Sequence, residues 1–184
     1  MMPSDKMIYG VTGGSGAGKS HVSRLFLPYG AHIIDVDKLG HIALENRAKS
    51  EVIHRFGPSI LSPRGHIDRK KLGRIVFNNT TALNDLNKIV HGYMVNHAHL
   101  LVLEKIKDTA TPIIVIDAAL LFKLNLHLLC DKVILVTANM KTRIARITHR
   151  DGISKDQALN RITSQEDYTK FFPLSDIIVT NNWS

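Results

Sequence analysis

Apolar positions in this chain fall into two regimes. Short, nearly unbroken runs rich in β-branched residues occupy 7–12, 32–35, 113–117, 132–137 and 177–180, and they predict strands of a sheet covered on both faces. Elsewhere apolar residues recur at three- and four-residue spacing, which predicts helices. Val22, Leu25, Phe26 and Tyr29 form one such stripe, with Pro28 and Gly30 ending it. Further helices are expected near 38–45 and 47–56, from Arg69 onward, over about 82–107 and over 139–149. The long one carries Leu83, Leu86, Val90, Met94, Ala98 and Leu101 along its stripe, and Pro112 stops it. Ser154 followed by Gln157 has the form of a capping box opening one more. Gly57-Pro58 and Pro63-Arg64-Gly65 mark turns.

Strand and helix alternate at both ends of the chain, and a mostly helical stretch of about 70 residues separates the second and third strands. The economical architecture is α/β, a doubly wound parallel five-stranded sheet with a helical insertion. Ligands of such sheets sit at the carboxyl ends of the strands, where Gly13 to Ser20, Asp35 to Asp37 and Asp117 fall.

Composition adds bounds. With 184 residues, 44% hydrophobic and 22% charged, the chain is an ordinary globular protein, and disordered or collagen-like classes are excluded. The longest apolar runs fall short of the roughly 20 residues that cross a bilayer. Residues 1–7 carry Asp5 and Lys6 with no apolar stretch before the first strand, so no signal peptide is expected. Cys130 is the single cysteine, which excludes an internal disulfide and a cysteine-pair zinc site and suits the cytoplasm. The formal charge of +8 suggests a nucleic-acid binder or an enzyme of polyanions. Residues 38–111 hold twelve basic and six acidic side chains and so carry most of the excess. No nucleic-acid module is recognisable and only 6% of residues are aromatic, so the polyanion reading leads.

Gly13, Gly18, Lys19 and Ser20 fit the phosphate-loop pattern of two glycines followed by Lys and Ser. The chemistry of that pattern is direct. Backbone N–H groups of Gly14, Ser15, Gly16, Ala17 and Gly18 surround phosphate, Lys19 reaches the β and γ phosphates, and Ser20 offers a hydroxyl to Mg²⁺. The loop points to a nucleoside triphosphate without saying what is done with it. The chain is short for an oligomeric ATPase and has no guanine-reading Asn-Lys-x-Asp sequence, which leaves a small kinase as the leading class. Asp35 and Asp37 are two apart, so on an extended strand both face one side. One can orient or deprotonate an acceptor hydroxyl while the other caps the following helix. Asp117 stands where the second acid of a phosphate-loop protein holds Mg²⁺, or where a strand-end turn takes an acid. Arg143, Arg146 and Arg150 recur at helical spacing, as movable cations for a transferring phosphoryl group or as a solvated face.

Taken in series, these segments resemble the dephospho-coenzyme A kinase family. The likeness rests on Val11 to Ser20, Ile34 to Asp37, Arg55-Phe56-Gly57, Gly65 to Arg69, Arg150-Asp151-Gly152, Arg161-Ile162, Gln165 and Asp176 to Asn181. It spans nearly the whole chain. The resemblance implies transfer of the γ-phosphoryl of ATP to the ribose 3′-hydroxyl of dephospho-coenzyme A, with ATP and Mg²⁺ as cofactors. It implies a nucleotide-binding core over 1–37 and 111–184, a lid over about 143–165 and an acceptor domain over 38–110. Asp37, Lys19, Arg150 and Arg146 are then catalytic, and Asn181 joins Gly14 to Ser20 around the nucleotide. Thr12, Asp37, Arg69, His91 and Asp117 face the acceptor, although His91 read by itself is an ordinary helix histidine. The same resemblance implies two small-molecule substrates, no nucleic acid, no membrane and a monomer. Gly92 replaces a usual Pro, Ala119 another, and Lys123 a usual acid, which bears on acceptor choice. The family generally adds a helix after the last strand, where this sequence stops at Ser184. A phosphate-loop kinase for another nucleotide or small metabolite is the alternative.

Overall fold

A computed structural model describes residues 6–77 and 79–183, without the side chains of His41 and Arg47. The stretch read for a leader, up to Asp5, lies outside the described residues. The chain divides into two compact units, 1–35 with 102–184, and 36–101.

The first unit is a five-stranded parallel sheet. Its strands are β1 (Met7–Thr12), β2 (Ala31–Asp35), β3 (Ile113–Asp117), β4 (Lys132–Thr137) and β5 (Ile177–Thr180), in the order β2-β3-β1-β4-β5. Ile114, Val115 and Ile116 are fully buried, as a strand covered on both faces requires. Around Val11, Ala17, Val22, Ala31, Val115, Ile134 and Val136 the core closes, with the Tyr9 and Phe26 rings tilted against each other at its margin. β1 sends its connection toward the β2 edge, whereas β3 and β4 send theirs toward the β5 edge. That reversal at β1 is where an open α/β sheet leaves a crevice for ligand, at the carboxyl ends. Register puts Asp35, Asp117 and Val11 in one row across β2, β3 and β1, one residue short of Thr12 and the glycine loop.

The opposite, amino ends are fastened by carboxylates. Asp131 accepts the Ile8 amide at 2.7 Å while its own amide donates to the Ile8 carbonyl at 2.8 Å. Asp176 accepts the Val133 amide at 2.8 Å, donates back to the Val133 carbonyl at 3.0 Å and pairs with Lys132. Both begin a strand on a fixed register.

Two expectations need correction. α1 (Lys19–Arg24) is only six residues long, and the chain then tightens into a 3₁₀ turn over Leu27–Tyr29. Pro28 explains this: it has no N–H to give, and its ring clashes with the carbonyl four residues back, that of Arg24, where the helix ends. Half the expected stripe is therefore exposed, Leu25 by 57% and Tyr29 by 72%. Asp35 and Asp37 also do not share an extended strand. Asp35 closes β2, Val36 starts α2 (Val36–Ala43) without a loop, and Asp37 sits in that helix's first turn.

The second unit is helical: α2, α3 (Arg47–Phe56), α4 (Arg69–Phe77) and the first part of α5 (Thr80–Lys107). Val52, Ile60, Ile67, Leu72, Val76 and Ala82 form its core. Between α3 and α4, Leu61 and Ile67 pair as an antiparallel bridge around the Ser62 to Gly65 turn, and Arg55 bonds Asp85 at 2.7 Å. Asn79 opens α5 by accepting the Ala82 amide at 2.9 Å. The expected α5 stripe buries Met94 and Ala98 but leaves Leu83 40% exposed.

Candidate active site

The glycine loop leaves β1 at Gly13 and enters α1 at Lys19. Its backbone is one that few side chains tolerate. Gly13 has φ 148°, and a Cβ there would lie 2.2 Å from the Val136 carbonyl oxygen of β4. Gly18 has φ 95°, and a Cβ there would lie 2.2 Å from Asn181 Nδ2. The loop is thus pressed against both β4 and the residue that follows β5.

Its outer side is held by α6 (Met140–Asp151), which Asn139 caps by accepting the Thr142 amide. Arg143 Nε donates to the Ser15 carbonyl at 2.8 Å. Arg146 Nη1 donates to the Gly16 and Ala17 carbonyls, both at 3.1 Å, and Nη2 to Asn181 Oδ1 at 3.2 Å and to the Trp183 carbonyl. Asn181 Nδ2 adds a fourth bond to the loop, to the Ala17 carbonyl at 3.1 Å. In a trans peptide, C=O and the next N–H point opposite ways. Fixing the Ser15 and Ala17 carbonyls toward α6 and Asn181 therefore turns the Gly16 and Gly18 amides the other way. Amides gathered in this manner suit an anion. Burial lowers the pKa of the Arg143 guanidinium, with Tyr168 acting in the other direction.

Gln165 completes the loop's fastening. It follows α7 (Lys155–Thr163), and its Oε1 accepts the Ser15 amide at 2.8 Å and Arg143 Nη2 at 3.5 Å. Both halves of the expected capping box are present at the start of α7. Thr12 is fully buried, and its hydroxyl donates to the Ala119 carbonyl at 3.4 Å, which also accepts the Tyr168 hydroxyl at 2.9 Å. Asp117 is 3% exposed. Ser20 is exposed in the first turn of α1.

Thus Thr12, Gly14 to Ser20, Asp117, Arg146 and Asn181 all lie at the carboxyl edge of one unit. Arg150 lies further along α6, bonded to Asp151 at 2.7 and 2.9 Å. Asp37, Arg69 and His91 belong to the helical unit: Asp37 begins α2, Arg69 begins α4, and His91 lies half-buried on α5. Residue typing missed Gln165 as a loop contact and left Arg143 undecided between two readings. Only the three-residue step between Arg143 and Arg146 pointed to a shared face.

Asp151 is bridged by Arg150 and Arg161. The hydrogen bond from Arg150, then the charges of both arginines, hold its carboxyl at about 2 against an ordinary 3.8. A depressed folded-state pKa gives stability that is present above the ordinary value and lost as pH falls through the folded one. Asp151→Asn is expected to flatten the fall in melting temperature between about pH 4 and pH 2. Equal slopes for both chains in thermal unfolding at stepped pH would show that the pair is inert.

A family model described as dephospho-CoA kinase matches residues 7–184. The chain belongs to the dephospho-CoA kinase family. It is accordingly an ATP-dependent kinase, a transferase of coenzyme A biosynthesis. The dephospho-CoA kinase of Fusobacterium nucleatum is 35% identical over 178 residues, covering 96% of this chain and 90% of that one. The Carboxydothermus hydrogenoformans enzyme of the same name is 37% identical over 182 residues, with 96% and 86% covered. Among solved structures, a dephospho-CoA kinase from Campylobacter jejuni superposes with TM-score 0.66 at 28% identity, covering 96% of this chain and 89% of that one. Shikimate kinase from Bacteroides thetaiotaomicron, 12% identical with TM-score 0.51 and 94% and 85% covered, shares the fold alone.

Proposed function

We propose that the carboxyl edge of the sheet performs the family's reaction with the residues named above. The reaction moves the γ-phosphoryl of ATP to the ribose 3′-hydroxyl of dephospho-coenzyme A. The observation that carries this reading is the outward anchoring of the Ser15, Gly16 and Ala17 carbonyls by Arg143, Arg146 and Asn181. It turns the Gly16 and Gly18 amides toward a phosphate chain, whereas the Ser15 amide is held by Gln165 and the Ala17 amide by the Gly14 carbonyl at 3.0 Å, and Lys19 adds charge at the β and γ positions. The acceptor oxygen bonds to the γ-phosphorus as the bond to the β,γ-bridging oxygen breaks and ADP leaves. Asp37 takes the hydroxyl proton. Arg146 and Arg150 balance charge on the moving group, Arg146 from the loop side and Arg150 after parting from Asp151. Thr12, Asp117, Arg69 and His91 hold the acceptor, with 38–110 as its domain, 1–37 and 111–184 as the nucleotide core and about 143–165 as the lid.

The residues present fit Mg²⁺. Among the described residues no group of three or more His, Cys, Asp or Glu could hold a metal by itself, and Mg²⁺ needs no such cage when phosphates and water supply most of its oxygens. Ser20 would contribute a hydroxyl, and the buried Asp117, at the carboxyl end of β3, would be the second acid, holding the ion directly or through water. When bound, the ion neutralises charge on the β and γ phosphates.

A monomer in the cytoplasm acting on two small molecules is the setting we infer. Among the described residues no helix is long and apolar enough to cross a membrane.

The deciding experiment follows ADP release from ATP with dephospho-coenzyme A present and then omitted, with the product identified as the 3′-phosphorylated compound. Release that ignores the acceptor would defeat the reading. One observation favours a broader acceptor range: Lys123, where the family pattern has an acid, lines a cavity of about 480 Å³ with Ala119, Gln165 and Tyr168. An acceptor panel in the same assay measures that range.

A further inference from the structure

A glycine-rich loop turns readily into a phosphate cradle and as readily out of it, so its orientation has to be imposed by other side chains. At Ser15 two side chains impose it together. Gln165 Oε1 accepts the Ser15 amide at 2.8 Å, Arg143 Nε donates to the Ser15 carbonyl at 2.8 Å, and Arg143 Nη2 donates to the same Gln165 oxygen at 3.5 Å. The N–H and C=O of one residue belong to two different peptides. The pair therefore fixes both peptides, and it leaves the Gly14 carbonyl pointing the other way, where it accepts the Ala17 amide at 3.0 Å. The grip is close: a Cβ at Gly14 would lie 2.5 Å from Arg143 Nη2 and 3.5 Å from Gln165 Oε1.

Gln165 stands on a backbone that is itself held. Its amide donates to the Ile162 carbonyl at 3.3 Å as α7 ends, and α7 shares an apolar cluster with α6 through Ile147, Ala158 and Ile162. Three residues on, the Tyr168 hydroxyl donates to the Ala119 carbonyl beyond β3, and Phe171 stacks on Phe122 with ring centroids 4.4 Å apart. One short stretch thus holds the exit of β3 and, through Gln165, the phosphate loop.

We infer that Gln165 is a positioning residue: its acceptor oxygen keeps the phosphate loop in its nucleotide-binding orientation and couples the loop to the stretch 155–171. The inference rests on the phosphate-loop reading. Losing the oxygen leaves the half-buried Ser15 N–H without this acceptor, and a turn of the Gly14–Ser15 peptide, which Gly14 permits, relieves that cost while breaking the bond to the Ala17 amide. Nucleotide then binds only the fraction of molecules whose loop is correctly turned, and the apparent affinity falls by that fraction.

Gln165→Met keeps the side chain's length and removes the amide oxygen. It is expected to raise the ADP dissociation constant in calorimetry and the KM for ATP by about tenfold, with kcat within about threefold. Gln165→Glu keeps an acceptor oxygen, its charge met by Arg143, and is expected to bind ADP within about threefold of the parent. Because coupling is reciprocal, ADP is expected to slow hydrogen exchange across 155–171 in the parent and to slow it far less in Gln165→Met. The parent measurement stands whether or not the Met variant folds. A Met variant that binds ADP as the parent does, a Glu variant no better than the Met variant, or exchange across 155–171 in the parent that ignores bound ADP overturns the role of Gln165 and leaves the loop reading intact. A parent chain that binds no ADP overturns both.

Discussion

Asp37→Asn is expected to lower kcat for phosphoryl transfer by about 10²–10⁴-fold, the usual contribution of a positioned acid or base. That corresponds to about 3–5 kcal/mol of transition-state stabilisation. The substitution is chosen to spare the fold. Asp37 lies in the first turn of α2, where a negative charge contributes about 0.3–1 kcal/mol to the helix, so Asn forfeits little there and keeps the side chain's size. KM for ATP is expected to stay within about threefold, because the phosphate contacts assigned to the loop involve none of its atoms. Steady-state ADP release, with ADP affinity from calorimetry, separates the two effects. A kcat within about tenfold of the parent would remove Asp37 from the proton-transfer role. A parallel loss of ADP affinity would mean that its part is structural.

Gly13→Ala has the largest effect expected on stability. A residue with φ 148° is strained for any L side chain, and the added carbon would sit 2.2 Å from the Val136 carbonyl oxygen, which as sheet backbone cannot rotate away. Strain of about 1–3 kcal/mol and overlap of about 1–3 kcal/mol together predict a loss on the order of 4 kcal/mol. Gly152→Ala supplies the comparison. That residue also has positive φ, 64°, yet a Cβ there meets nothing within 4 Å, so only the backbone term of about 1–2 kcal/mol applies. Urea unfolding of both variants measures the difference. If Gly13→Ala is no less stable than Gly152→Ala, then β1 and β4 are not in the close contact described.

The strands were legible because a parallel strand buried on both faces has few compositions open to it. Ile113 to Ile116 could hardly be anything else. The capping box at Ser154 was equally plain, since its two hydrogen bonds are local and need no tertiary partner. Reading failed where a single residue breaks the local period or a distant group decides. Leu25 and Tyr29 have helical spacing, but Pro28 breaks the ladder and turns them outward. Asp35 and Asp37 have strand spacing, but the strand ends between them because the buried Val36 already belongs to a helix. Gln165 looks like a surface polar residue until the Ser15 amide, 150 positions away, is found on its oxygen. Family resemblance supplied the order of segments. It could not supply which face of Arg146 meets the loop.

The two ends of the sheet carry different burdens. At the amino ends, Asp131 and Asp176 lock strands by paired backbone bonds, and at the carboxyl ends Gly13 and Gly18 admit no side chain. Improvement of heat resistance in this enzyme therefore has an address. Substitutions beside Ile8 and Lys132 that keep the Asp131 and Asp176 bonds are the ones expected to raise the melting temperature with kcat unchanged, because they lie at the opposite ends of the strands from the phosphate loop.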